Sequence, residues 1–310
     1  VALDGSEYFR STKIQCSHCL RQTDPQGRGH YSHKIVGATV VRAGSHQVLP
    51  LEVEEVRNAT GKSAPQDCEL TAGKRLITRL RQAHPQLALI LIGDDLYSHV
   101  PFVERLVQLR QHFVLVAKPA SHPPLLAAVG AAAGTAQSQT GQWTEGRGSR
   151  QRTYPYRLVR SVPLSLESAV RVTYVEVWEQ NTTGKQLYPN SWIPDLDVDA
   201  SNVAVGVQIG RTRWKIETEQ FTGHKNHGDE LTHNYGHGQQ HLSMVFYLLT
   251  LLAYVTHVVL ALGDRLYQHC RAQESRRELG NALRTWVNRV LVASWAALFA
   301  VYLDDSDASP

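Results

Sequence analysis

The spacing of apolar and polar positions divides the 310-residue chain into an alternating first part and a more mixed second part. Residues 3–9 read as a short strand, followed by a polar, Gly-containing loop to about Gly29. Residues 34–41 and 47–53 are apolar, β-branched runs around Ala43-Gly44-Ser45, a hairpin-like pairing. Residues 66–83 have helical spacing: Leu70, Leu76, Ile77 and Leu80 are apolar, while Lys74, Arg75, Arg79 and Arg81 are charged. Residues 87–92 form a continuous apolar run, as in a strand buried on both faces, ending at Gly93-Asp94-Asp95. An amphipathic helix over 100–112 and a buried strand over 113–117 follow. The predicted order is β-β-β-α-β-α-β, an α/β arrangement in which several folds remain open.

Residues 127–149 are rich in Ala, Gly, Gln, Thr and Ser and are expected to form a mobile connection. Strands are predicted over 152–163, 170–179 and 203–209, with a turn at Thr183-Gly184, making a β-rich insertion. Helical character resumes at Arg213 and continues to about Tyr302, before an acidic tail over 304–310 that is expected to be disordered. These shifts divide the chain into 1–125, 126–209, 210–303 and 304–310. Residues 242–262 match the length of a membrane span. Ser243, Thr250, Thr256 and His257 interrupt that stretch and it stands alone, so a core helix buried on most sides is expected, with no membrane partner.

Composition narrows the class. A hydrophobic fraction of 42% and a charged fraction of 19% suit a chain with a packed core. The formal charge of +4 is mildly basic and compatible with nucleic acid. Four cysteines suggest no disulfide scaffold. With no apolar leader after Val1, a cytoplasmic setting is expected and the sequons at Asn58 and Asn181 carry little meaning. The valine start suggests a fragment or an alternative start codon.

Three acids stand out by position: Asp4 in the first strand, Asp94 at the end of the apolar run, and Glu217 at a helix start. Open α/β sheets place ligands at such strand ends. Carboxylates suit Mg²⁺, a hard cation, and two such ions about 3.5–4 Å apart serve both ends of a phosphodiester displacement. Singly, each acid is better explained as a turn former or helix cap. Asp94 is favoured over Asp95 because it directly ends the strand. Glu217 is favoured over Glu219 because Arg213, Glu217, Phe221 and Lys225 recur every four residues on one helical face.

The wording around these acids resembles a family. Residues 211–238 contain Arg213-Trp214, Ile216-Glu217, Phe221 and Lys225, similar to the signature of DDE-type insertion-sequence transposases in the Tyr-Arg-Glu-Lys branch. Asp4-Gly5-Ser6-Glu7-Tyr8-Phe9 and Gly93-Asp94-Asp95-Leu96-Tyr97 resemble that family's first and second aspartate motifs, and residues 65–75 also have its look. The resemblance implies a ribonuclease H-like mixed sheet with a β-rich insertion before the last catalytic helix. It implies Asp4, Asp94 and Glu217 as catalytic ligands of Mg²⁺ or Mn²⁺, two ions in all. The activity would be phosphodiester hydrolysis and strand transfer on double-stranded DNA, by a homodimer. Arg213 and Lys225 would contact phosphates. Two positions depart from the signature: its tyrosine is Gly210 here, and Lys225 follows Glu217 by eight residues instead of seven. The family usually carries a DNA-end-binding region before the first strand. With only Val1, Ala2 and Leu3 ahead of Asp4, the chain is expected to lack that region and to have a shortened central strand. A decayed or domesticated relative that binds DNA without cutting is the alternative.

Other signals weigh less. Arg147, Arg150, Arg152, Arg157 and Arg160 surround Tyr154 and Tyr156 without intervening acids; a solvated strand edge gives the same pattern. It is the family resemblance that implies DNA here, with Arg150, Arg152 and Arg157 as candidate contacts. Cys16 and Cys19 have zinc-compatible spacing, with His30, His33 or Cys68 available to complete four ligands. A single Cys-x-x-Cys is a weak signal, and structural zinc is not the expectation. His233, His237 and His241 recur every four residues, but Gly236 and Gly238 oppose a regular helix, so capping or phosphate contact is expected. Gly61-Lys62-Ser63 lacks the earlier glycine of a P-loop, which is Val56.

Overall fold

A computed structural model describes residues 1–58, 66–226, 229–232 and 241–307. The first part is β1 (Ala2–Ser11), β2 (Leu20–Thr23), β3 (Gly29–Val40), β4 (Leu49–Val56), α1 (Glu69–Ala83), β5 (Ile90–Gly93), α2 (Val100–Gln108) and β6 (His112–Val116). This is the predicted alternation with one added strand: β2 lies in the stretch expected to be a loop and pairs with β3. Then come α3 (Pro123–Ala131), β7 (Ser138–Glu145), β8 (Arg152–Pro163), β9 (Arg171–Gln180), β10 (Gln186–Pro194) and α4 (Val203–Arg211). A π-helix (Ile216–Phe221) runs into α5 (Thr222–Asn226) and precedes α6 (Leu242–Gly263), α7 (Arg265–Gln273), α8 (Arg276–Val287) and α9 (Trp295–Asp307).

The fold is α/β, built on one mixed sheet in the order β2-β3-β1-β5-β6-β10-β9-β8-β7, with β4 also paired to β3. β1–β5 and β5–β6 are parallel and the other pairs antiparallel. Strand alternation sends side chains to opposite faces. Leu3, Val36, Ala38, Leu91 and Leu115 pack on one face with Leu76 and Leu80 of α1 and Phe102 and Leu106 of α2. Ala2, Ile35, Ile92 and Val114 pack on the other with Val203 and Val207 of α4, Ile216 and Phe221 of the π-helix, and Tyr247 of α6. Helices α7, α8 and α9 close a separate cluster around Tyr267, Leu279 and Phe299.

Several expectations are corrected. Residues 203–209 are helical, although Val203, Val205, Val207 and Ile209 alternate as a strand would. Val203, Val207 and Gly210 are the buried positions, spaced by four and three, while Val205 is exposed. The face that packs on the sheet therefore decides the element. The connection expected over 127–149 contains the end of α3 and all of β7. Strand β10 was not anticipated, and it contains Pro189, a residue confined to edges or bulges of sheets. Its ladder with β6 covers only Trp192–Pro194, so Pro189 faces a single partner strand, β9. The first strand is not short, running ten residues with most of its length after Asp4. Helix α6 is not buried on most sides: Leu248, Leu249, Leu252, Val259 and Leu262 are exposed, and Tyr247, Tyr254 and Val258 form its buried face. By length and composition alone this helix is apolar enough to cross a membrane.

Candidate metal centre

The sheet brings the first two acids together. The parallel pairing of β1 with β5 aligns Ala2 with Ile92, so two residues further along each strand Asp4 reaches the level of Asp94. Asp94 is the first residue beyond β5, and its side chain caps the following turn by accepting from the Leu96 amide at 2.9 Å. Asp4 is buried and accepts from the Gly5 amide at 2.9 Å.

The third acid arrives from the π-helix. One guanidinium nitrogen, Arg213 Nη1, lies 3.3 Å from Asp4 Oδ2 and 3.5 Å from Glu217 Oε1. Burial pushes the Asp4 carboxyl up to about 7, the charges of Glu217 and Asp94 add to the rise, and Arg213 opposes it. Asp4 thus sits in a field of like charge that one arginine does not balance. Arg213 bridges Asp4 and Glu217, and the three carboxylates are not among the tight ligand groups, which contain histidine and are described below.

Both competing acids lie apart from this centre. Asp95 accepts from the Lys118 amide at 2.6 Å and pairs with His122 at 3.3 Å. Glu219 pairs with His46 at 3.0 Å, and its carbonyl accepts from Tyr254. Glu69 joins the site and was not singled out from sequence, where it reads only as an acid in the first turn of a helix. Its carboxylate accepts from Tyr97 Oη at 2.8 Å and is raised by burial, and then by Asp94. A Cβ at position 5 would meet the end of the Glu69 side chain, so any larger residue there would have to push that carboxylate aside.

The two departures from the resemblance have local causes. A Cβ at Gly210 would stand 2.5 Å from Trp192 Nε1, so the indole from β10 fills the space a tyrosine would need. A π-turn accommodates one residue more than an α-turn. The interval from Glu217 to Lys225 crosses the π-helix, which absorbs its extra residue. Lys225 is half-buried, and burial lowers its pKa while Glu7 raises it.

The basic residues of the insertion are not gathered at the acids. Arg157 pairs with Glu176 at 2.5 Å and Arg152 lies 3.6 Å from Glu179, both acids coming from the adjacent strand β9. Arg150 is exposed. Tyr154 is buried, stacked on Trp143 at 5.0 Å and covered by Arg211 at 4.9 Å, so its ring is not open to a base.

Two His-containing groups hold ligand atoms close together: Asp95, His99 and His122, and Cys16, Cys19 and His33. In the first, Ser98 Oγ lies 2.8 Å from His122 Nε2, and Asp95 is engaged by the Lys118 amide, which explains it as a capping network. His233, His237 and Gly61-Lys62-Ser63 lie outside the described residues; His241 is described and stacks on His18. No family model matches this chain, and no curated protein matches it.

Proposed function

We propose that this chain is a DDE-type DNA transposase with a ribonuclease H-like core, cleaving phosphodiesters and joining strands with divalent metal. The observation that carries the reading is the convergence of Asp4, Asp94 and Glu217, distant in sequence, at one end of a parallel strand pair. The order β4-β3-β1-β5-β6, antiparallel through β1 and parallel after it, supports the core assignment.

The donor set fits a hard cation: three carboxylates and no thiolate or imidazole among them. When bound there, Mg²⁺ or Mn²⁺ would polarise the phosphoryl oxygens and lower the pKa of the attacking water or 3′-hydroxyl. Asp4 from β1 and Asp94 from the turn that follows β5 would set one side of the site, and Glu217 would close it from the helix. Arg213, presently shared by two carboxylates, is placed to turn to a scissile phosphate once their charge is otherwise compensated. Arg150 and Lys225 would add non-specific phosphate contacts, and the active species would be a dimer on paired DNA ends.

The test is nicking of supercoiled DNA and joining of transposon-end DNA in Mg²⁺ or Mn²⁺. Cleavage that is lost in Glu217→Gln and kept in Glu219→Gln is expected. DNA binding with no metal-dependent cleavage would transfer the chain to the non-cutting alternative.

A further inference from the structure

We infer that Cys16, Cys19 and His33 form a structural zinc site independent of the acidic centre. Cys16 Sγ and Cys19 Sγ are 3.8 Å apart, and each is 3.5 Å from His33 Nε2. A tetrahedral zinc with bonds of about 2.3 Å to sulfur and about 2.05 Å to nitrogen has S–S edges near about 3.8 Å and S–N edges near about 3.6 Å. The three described ligands therefore already span one face of a zinc tetrahedron. A disulfide does not account for them, since its sulfurs lie about 2.05 Å apart and the bond has no use for a third, equidistant group.

The surroundings match a metal-bound state of these side chains. The Cys16 amide donates to Cys19 Sγ at 3.3 Å and the His18 amide to Cys16 Sγ at 3.4 Å, so backbone amides of one tight turn point at both sulfurs. The other nitrogen of His33, Nδ1, faces Glu55 Oε1 at 3.5 Å, so the carboxylate lies on the side of the ring away from the two sulfurs. Cys19, His33 and Glu55 are all buried. His30 and Cys68 do not join: His30 Nε2 lies 3.1 Å from Gln22 Oε1, and the Cys68 thiol lies beside Thr71. The site would pin the β1–β2 loop to β3, where Asn58 Nδ2 also donates to the Cys19 carbonyl at 2.8 Å.

The experiment is elemental analysis of the full chain purified without added chelator and again after equilibration with zinc, with X-ray absorption at the zinc edge. About one zinc per chain with two sulfur neighbours is expected, falling at least tenfold in Cys16→Ser and Cys19→Ser and retained in His33→Cys. Wild-type protein that binds no zinc after equilibration overturns the site. So does zinc with no sulfur in its first shell, or zinc held undiminished by both serine variants. Because the first two readouts use wild-type protein, a variant that fails to fold does not spare the proposal.

Discussion

The acidic centre and the Cys–His cluster lie on the same half of the sheet but are built in opposite ways. The cluster draws its ligands from 18 consecutive residues and its three ligand atoms are already at tetrahedral edge lengths. The acidic centre draws on β1, the end of β5 and the π-helix, and its carboxylates are held by an arginine that opposes only part of their repulsion. One arrangement suits permanent occupancy and stability. The other keeps unrelieved charge where a cation and a phosphate would enter, the arrangement expected of a working site.

The largest effect should separate the two glutamates of the π-helix. Glu217→Gln is expected to reduce metal-dependent cleavage by more than the roughly 10–100-fold typical of losing an outer-shell partner. Glu219→Gln, which loses only its pairing with His46, should leave the rate nearly unchanged. Single-turnover cleavage rates check both, and equal losses would erase the distinction drawn between the two residues.

Stability should respond at the other site. Removing zinc with chelator is expected to lower unfolding stability by at least about 2 kcal/mol, because metal binding and folding are linked. Urea titration with and without chelator measures it, and the Glu217→Gln protein should show the same drop.

The Asp4 carboxyl gives a pH test of the acidic centre. Its folded-state pKa of about 7 lies above the ordinary 3.8, so the native state holds this proton more tightly than the unfolded chain. The stability from this group is fully present below about pH 4 and is lost as pH rises to about 7. Asp4→Asn removes the titration, so its stability relative to wild type should rise between pH 5 and pH 8 by roughly 2 kcal/mol in metal-free buffer. Denaturant melts at the two pH values decide, and a constant difference would show that the fold does not raise the Asp4 carboxyl.

Two smaller effects sharpen the comparison. Gly5→Ala should cost about 1–3 kcal/mol by forcing a methyl group against Glu69, measured by thermal melting. Lys225→Ala should weaken DNA binding and reduce the salt slope by about one, which a binding series at several salt concentrations reads directly.

Much of this was legible in the sequence. The periodicity of α1 and the apolar run into Gly93-Asp94 located the elements that carry the site, because a buried face leaves a repeat of fixed period. The choice of Asp94 over Asp95 followed from strand geometry, and the structure keeps the two apart. The helical character of 203–209 was not legible, since period-two and period-four spacing coincide when every odd position is apolar. Glu69 was invisible for a related reason: an acid in a first helical turn is ordinary until β1 lies beside it.

Local spacing determined the helices of the first part and its strands other than β2, and the placing of two thiols across one turn. Only the tertiary structure decided which acids meet, that Trp192 fills the space at Gly210, that a π-turn absorbs the extra residue before Lys225, and that His33 rather than His30 or Cys68 turns to the two sulfurs. Each of those depends on strand register and packing between segments far apart in the chain, and a one-dimensional pattern holds no record of distances across a sheet.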